Sequence, residues 1–433
     1  MKVLLITHNP VSKSNNMGKT VASLFSEFPK ESLCQLYVRA ALPEVDLCHS
    51  YYRVTDKEAL TSIFTFKSRG REITSDMLTS TEAAEPEPRQ SYGLSERQKS
   101  QALSRLGRDA VWKLSHWYSK DLRAWLDREK PTCIFLAPGY AKMIYDIALR
   151  ISKDRHIPLV TYVCDDYYFI KSPPSLAGKR WLKLLRRKIE ATMRQSAFLI
   201  TISDGLREQY QKAFGLPAMK IMTGAEWPLA EAPRLEEKPV SISYFGNLSC
   251  RRHVALRDVG EALLSLNQRM NTSYVLNVYT ADRDPELLSA LSGLPTVRLC
   301  GFVTGEALRN AVCASSLLLH VEAFDEQSVD LVKYSISTKI ADSLASGIPL
   351  VAYGPAEVAS MKHLTEHDCA ITCTSRDSLA ETLTVAFNRE DIRTNTARQA
   401  LKVAQVYHDR QVNSRKLRQA LIDLKNDQPD ERI

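Results

Sequence analysis

The stretch "YSISTKIADSLASGIPLVAYGP", residues 334–355, carries the reading of the fold. Ser337 suits an N-cap, and the helix it opens stops at Gly347, with Pro349 just beyond. Ile340, Ala341, Leu344 and Ala345 recur at helical spacing and form the face to be buried, and 350–353 then reads as a buried strand. Lys339 and Asp342 lie three residues apart on the opposite face. A helix start offers unpaired N–H groups, and a lysine beside them suits a diphosphate. A carboxylate one turn on can accept the hydroxyls of a ribose, the logic of the acidic residue in dinucleotide sites. The same spacing equally describes an i,i+3 surface pair contributing about 0.2–0.5 kcal/mol.

Working outward, strand-like runs at 240–245, 274–279, 296–299, 316–321 and 350–353 alternate with helical stretches such as 256–267 and 306–314. They begin after "EAPRLEEKP" (231–239), a Pro- and Glu-rich linker. Toward the N-terminus, a strand at 2–7 enters a polar loop, 8–18, and then a helix, and further apolar runs follow at 33–38, 132–137, 159–164 and 198–202. The run at 159–164 is almost continuously apolar and β-branched, as a strand buried on both faces must be. Between 67 and 105 the pattern breaks into Ser, Thr, Glu, Pro and Gln ("STEAAEPEPRQS", 80–91), read as a mobile surface insertion. No repeat of 20–50 residues is evident. The expectation is an α/β chain of two doubly wound Rossmann-like domains facing a cleft. Residues 1–230 form the first domain and 231–239 the linker. Residues 240–405 form the second, and 406–433 a C-terminal helix packing back towards the first.

The composition fits that architecture. The chain has 433 residues, 44% apolar and 25% charged, which excludes disordered, collagen-like and disulfide-scaffold classes. Nine dispersed cysteines without a CxxC pair or zinc-like spacing read as reduced thiols. No secretory signal and no run of about 18 apolar residues is visible, so a cytoplasmic protein is expected, at most peripheral to a membrane. "NNMGKT" (15–20) ends like a Walker loop, but the glycine required five residues before Gly18 is Lys13. Asn16 and Gly18 remain candidates for a loop near the ligand, as does Gly246 after the first strand of the second half. The net charge of +8 is concentrated: 171–194 holds eight Lys or Arg against one acid, Glu190. Leu182, Leu185, Ile189 and Met193 recur there at helical spacing, and Trp181 is a candidate interface residue. A basic amphipathic helix over 179–194 suits an anionic membrane surface; a core-packed helix with a solvated basic face is the plain alternative. Nothing resembles a nucleic-acid reader.

The ordered set of segments resembles the GT-B glycosyltransferases, especially retaining family 4. The segment 334–355 is similar to their donor-binding signature, "SYFGNLSCRRHVALRDVGEAL" (243–263) to their glycine-ended first strand, and "VRLCGFVTGEALRNAVCASSLLLHVE" (297–322) to their base-binding strand and loop. In the first half, 197–226 resembles the last strand and helix before the linker, and 36–60 resembles members from bacterial surface-polysaccharide clusters. The resemblance implies Asp342 on the donor ribose, and Arg252, Ser337, Thr338 and Lys339 on the diphosphate, with Arg251 assisting. It places the nucleotide base near Phe302 and makes Asp165 and Glu322 candidates for contact with the reacting sugar. The family's first glutamate falls on Tyr334, and its His-Asp pair is Cys164-Asp165 here, followed by Asp166, so Asp165-Asp166 reads equally as a cap for the next segment.

The activity implied is transfer of a sugar from a nucleoside diphosphate sugar to a saccharide, lipid-linked and destined for surface polysaccharide. It is expected to retain configuration and to need no metal or cofactor, because cations and helix N-termini stabilise the departing diphosphate. Two alternatives stand beside it: a nucleotide-sugar 2-epimerase on the same fold, and a non-catalytic nucleotide-binding assembly factor.

Overall fold

The computed structural model describes residues 1–12, 16–67, 70–74, 95–171 and 173–426, with the backbone alone for 16 and 95–101. The chain divides into two compact units, Met1–Met222 with Arg410–Ile433, and Thr223–Asp409.

The first unit is built on an eight-stranded sheet in the order β4-β3-β2-β1-β5-β6-β7-β8. Its strands are β1 (Val3–Thr7), β2 (Leu33–Tyr37), β3 (Ser50–Arg53), β4 (Arg71–Ile73), β5 (Cys133–Ala137), β6 (Leu159–Val163), β7 (Ser196–Thr201) and β8 (Ala218–Lys220). All neighbours are parallel except β3 and β4. β1 is central and wholly buried, with Val3 opposite Leu33 on one side and Cys133 on the other. That explains its uninterrupted apolar sequence: a strand covered by helices on both faces has no solvent side to alternate towards. The helix Arg410–Asn426 belongs to this unit and packs on the helix Asn16–Leu24. Leu417 and Leu421 enter the core, and Asn413 Nδ2 donates to the Met222 carbonyl at 2.9 Å.

Part of the stretch expected as a mobile insertion is regular structure. Residues 71–73 form β4, and 95–105 begin the helix Ser95–Leu114, while 68–69 and 75–94 lie outside the described residues. The helix packs against the helices Asp56–Thr65 and Leu176–Gln195. Among its described side chains, Ala102, Asp109 and Trp112 are the buried ones, a 3.6-residue rhythm hidden by the polar composition around it. The basic helix Leu176–Gln195 buries Leu182, Leu185, Ile189 and Met193, as its periodicity requires. Trp181 is not an interface residue: it is only 2% exposed and lies beneath the Arg105 guanidinium, 4.6 Å from the ring centroid.

The second unit carries a six-stranded, wholly parallel sheet in the order β11-β10-β9-β12-β13-β14. The strands are β9 (Ser241–Phe245), β10 (Val275–Tyr279), β11 (Val297–Gly301), β12 (Leu317–Val321), β13 (Leu350–Tyr353) and β14 (Ile371–Cys373). Both units are thus doubly wound α/β sheets. The chain at 223–239 lies along this second unit. The Ala230 and Arg234 N–H groups donate to the Ala345 and Gly347 carbonyls at 2.9 and 2.7 Å, closing the helix Thr338–Ala345 at its C-terminal end. Arg393 holds the same segment through the Glu236 and Glu237 carbonyls.

Gly347 is where this closure is tightest. Its φ is +76°, and a Cβ there would stand 2.8 Å from the Ala232 carbonyl oxygen. Both facts exclude a side chain. Gly347→Ala is therefore expected to cost about 1–3 kcal/mol, read as a lowered denaturant midpoint at unchanged slope; a wild-type midpoint would show that 230–234 is not packed as described.

Candidate functional site

In open α/β sheets, ligands collect beyond the carboxyl ends of the strands. At that edge of the second sheet, β9 ends in Phe245 and turns through Gly246, whose N–H donates to the Tyr279 carbonyl at 3.0 Å. The chain then rises through Cys250 and Arg251, both at positive φ, into the helix Arg252–Met270. That turn delivers Arg252 to Glu322, the residue just past β12. Arg252 Nε and Nη2 each lie 3.1 Å from a Glu322 carboxylate oxygen, and Nη1 donates to Asn247 Oδ1 at 3.1 Å. His320 Nε2 stands 3.4 Å from Glu322 Oε1.

Glu322 is 1% exposed. Burial alone would raise its pKa, but the Arg252 charge and His320 overcome that and hold it below the usual carboxylate range. Burial likewise works against the Arg252 charge, and Glu322 more than restores it. The sequence placed Arg252 on a diphosphate and Glu322 near a sugar; the fold joins them to each other.

The helix Thr338–Ala345 starts at this same edge, since it runs back between β12 and β13. Ser337 occupies the N-cap position, but its hydroxyl makes no cap hydrogen bond; its N–H donates to Ser360 Oγ at 3.3 Å and its carbonyl accepts from Ile340. Thr338 and Lys339 are half-buried in the first turn. Asp342 has a structural partner that the sequence did not reveal. Its Oδ1 accepts the Glu226 N–H at 2.7 Å, and its carbonyl accepts Trp227 Nε1 at 3.1 Å. The simple i,i+3 pair is thus not the whole of its role. Phe302 stands beyond β11, 67% exposed, and at the ends of the next two strands of the sheet, β10 and β9, Tyr279 and Phe245 stack at 4.5 Å.

The remaining candidates lie in the first unit. Asp165 follows β6, and its Oδ2 accepts the Tyr167 hydroxyl at 3.2 Å. Asp166 is the capping member of the pair: one oxygen accepts the Tyr168 and Phe169 N–H groups at 2.9 Å each, and burial raises its pKa. Gly18 allows the first helix to sit on the 10–12 turn, since a Cβ would lie 2.7 Å from Ser12 Cβ. Asn16 begins that helix, and its side chain lies outside the described residues. Sequence reasoning missed His8, which follows β1 and meets Arg108 Nη2 at 3.1 Å. Arg108 was hidden because its helix begins inside the stretch read as an insertion. Among the described residues, no group of three or more His, Cys, Asp or Glu is placed to hold a metal ion.

No protein-family model matches the chain, and neither does any curated sequence. Solved structures do. Sucrose-phosphate synthase from Thermosynechococcus elongatus superposes with a TM-score of 0.62 at 11% identity, over 99% of this chain and 100% of that one. Anabaena HepE in complex with UDP-glucose gives 0.61 at 12% identity, over 98% and 100%. WaaG, described as a glycosyltransferase involved in lipopolysaccharide biosynthesis, gives 0.54 at 12% identity, over 96% and 98%. The chain has the fold these proteins share, the GT-B architecture of two Rossmann-like domains.

Removing one partner of a buried pair strands the other charge, so Glu322→Gln is expected to destabilise the protein by about 3 kcal/mol near neutral pH. The native carboxyl pKa is depressed, so its stabilisation is present above the unfolded value of about 4.3 and fades as pH falls through the native one. The gap between wild type and Gln in denaturant midpoint should therefore shrink below about pH 4; a gap independent of pH would show that the ion pair is not its source.

Proposed function

We propose that the chain is a glycosyltransferase that moves a sugar from a nucleoside diphosphate sugar to a saccharide acceptor. What supports this reading is the GT-B fold, with the turn that delivers Arg252 and the helix start bearing Lys339 both beyond the strand ends of its second sheet. A diphosphate leaving group accumulates negative charge as the glycosidic bond breaks, and preorganised N–H groups and cations lower that barrier without reorganising. Ser337, Thr338 and Lys339 supply the helix-start contacts. Arg252 supplies a fixed guanidinium, with Glu322 setting its plane and Asn247 its third bond. Glu322 is thus a positioning residue in this reading, and Asp165 is the candidate for the acceptor side. Asp342 serves the Glu226 N–H with one oxygen and a ribose hydroxyl with its carboxylate as a whole. Phe302 and the Phe245–Tyr279 stack form an apolar edge for the base.

The HepE complexes hold UDP and UDP-glucose, which favours a uridine donor. The named role of WaaG, with the resemblance of 36–60, favours a lipid-linked acceptor in surface polysaccharide synthesis. Retention of configuration follows from the family-4 resemblance, and the cations present let the reaction run without metal or cofactor. The helix 176–195 adds a membrane partner on the cytoplasmic face. Lys179, Arg180, Lys183, Arg187 and Arg194 are exposed along it, and Leu176 at its start is 84% exposed. Each basic residue near anionic lipid contributes about 1 kcal/mol. Among the described residues no helix is long and apolar enough to cross a membrane.

Thermal unfolding with UDP, GDP, ADP, CMP and dTDP tests the donor site. At about 100 times its dissociation constant a ligand stabilises by about 2.7 kcal/mol, and Lys339→Ala is expected to abolish the shift while leaving the unliganded midpoint in place. A shift unchanged in Lys339→Ala removes the site assignment. Reversing Lys179, Arg180, Lys183 and Arg187 to Glu is expected to abolish sedimentation with phosphatidylglycerol vesicles; retained binding removes the membrane partner.

A further inference from the structure

The carboxyl edge of the first sheet gathers arginines that no role has yet been found for. His8 follows β1 and Arg39 follows β2, brought together because the Val38 N–H donates to the His8 carbonyl. Arg108 reaches the same point from the helix 95–114, with Nη2 3.1 Å from His8 Nε2 and Nε 2.9 Å from Asp56 Oδ1. A guanidinium only donates, so His8 Nε2 accepts and its proton sits on Nδ1, facing Asn9 Oδ1 at 3.1 Å. Burial, then Arg108 and Arg39, push the His8 pKa down to about 4, so the ring is neutral near pH 7.

The local charge is unbalanced. Asp56 is the acid that the His8 ring feels, and it is already held by Arg108 Nε and by Trp112 Nε1 at 2.6 Å. Arg39 is half-buried, and among the described residues neither it nor Arg108 Nη1 has a protein acceptor. One turn before Arg108, Arg105 lies over Trp181 and 5.8 Å from the Tyr140 ring. Tyr140 meets Tyr167 edge-on at 4.7 Å, and Tyr167 donates to Asp165. A wall thus runs from two guanidinium groups through aromatic rings to a carboxylate. Trp181 and Tyr167 are buried supports in that wall, and the half-buried Tyr140 ring is its sugar-facing member. The order matches a saccharide carrying an anion: forks for the anion, one ring for the sugar's C–H surface, a carboxylate for a hydroxyl.

We propose that Arg39 and Arg108 bind a phosphate group carried by the acceptor, with Tyr140 and Asp165 beside its sugar. This rests on the glycosyltransferase reading for the word acceptor, but not for the site itself. The phosphate has two sources to distinguish, a soluble sugar phosphate and a phosphate-bearing lipid, and both present anionic phosphoryl oxygens to a guanidinium.

The test uses the full chain, in wild-type form and as Arg39→Gln, which breaks no side-chain hydrogen bond or ion pair among the described residues; Arg108→Gln is the second variant, used once its unfolding midpoint is known. Calorimetry follows glucose 6-phosphate, and glucose as the uncharged control, with Lys339→Ala in the background so that the second unit's helix start does not contribute. Sedimentation follows vesicles of phosphatidylcholine with and without phosphatidic acid. Glucose 6-phosphate binding that weakens about tenfold or more in Arg39→Gln, with glucose unaffected, supports the site and a soluble source. Arg39-dependent binding to phosphatidic acid vesicles alone supports it with a lipid source. The proposal is overturned if neither probe shows binding that depends on Arg39, whether because it is equal in wild type and Arg39→Gln or because it is absent from both. The two readings fail separately. If no nucleotide stabilises the protein while glucose 6-phosphate binding depends on Arg39, the donor reading falls and the phosphate site stands. If nucleotides bind and the Arg39 arm is flat, the reverse holds.

Discussion

The buried pair of Arg252 and Glu322 is the interaction on which the second unit's edge depends. Two charges taken out of water cost several kcal/mol each, and they persist only where geometry and extra hydrogen bonds offset that loss. Here the offset comes from two-point contact, from Asn247 on the third guanidinium nitrogen, and from His320 beside the carboxylate. The consequence is positional. Arg252 opens the helix after β9 and Glu322 closes β12, which are hydrogen-bonded neighbours in the sheet. Their union fixes the turn 246–251, with Asn247 and the backbone around it, against the strand that leads to the helix start at 338. A guanidinium held in this way presents its charge at a set place whether or not a ligand is bound, which is what electrostatic preorganisation requires.

The same economy appears in the helix 338–345. It is a short helix, with little stability of its own. Its apolar stripe is buried against the helix 390–407, and its C-terminal carbonyls are satisfied by 230–234. Asp342 and Trp227 complete that closure. Anchoring the C-terminal end fixes where the first turn, with Ser337 and Lys339, stands. Asp342 thus takes part in the closure through both its carboxylate and its carbonyl.

Much of this was legible in the sequence. Strands β1, β5, β6, β12 and β13 were readable because parallel strands covered on both faces are nearly continuous apolar runs, and β9 and β10 were readable despite the Ser and Asn that interrupt them. The helix 338–345 was readable from Ser337, Gly347 and the stripe between them. Three things were not. Over the described side chains of the helix 95–114, Ala102 and Trp112 are the buried apolar residues, so composition masked its period. The partnership of Arg252 with Glu322 spans seventy residues and belongs to strand order, which no local pattern encodes. The Asp342 contact with Glu226 arises because 223–239 lies along the second unit, whereas the sequence reads 223–230 as the end of the first domain and 231–239 as a linker. His8 and Arg108 combine the first and second kinds of loss, a long-range contact to an unread helix.

The central claim is sugar transfer, and binding alone does not establish it. The most direct measurement supplies radiolabelled UDP-glucose, and then the GDP-, ADP- and dTDP-sugars, to the purified chain with extracted bacterial lipids and free saccharides. It follows both label transfer and release of the nucleoside diphosphate. The account predicts label in an acceptor fraction for one nucleotide family, with equal release of diphosphate, and loss of both in Lys339→Ala. A nucleotide that binds tightly at the helix start, yet yields neither transfer nor release with any donor or acceptor, would contradict it and assign the fold to a nucleotide-binding role without turnover.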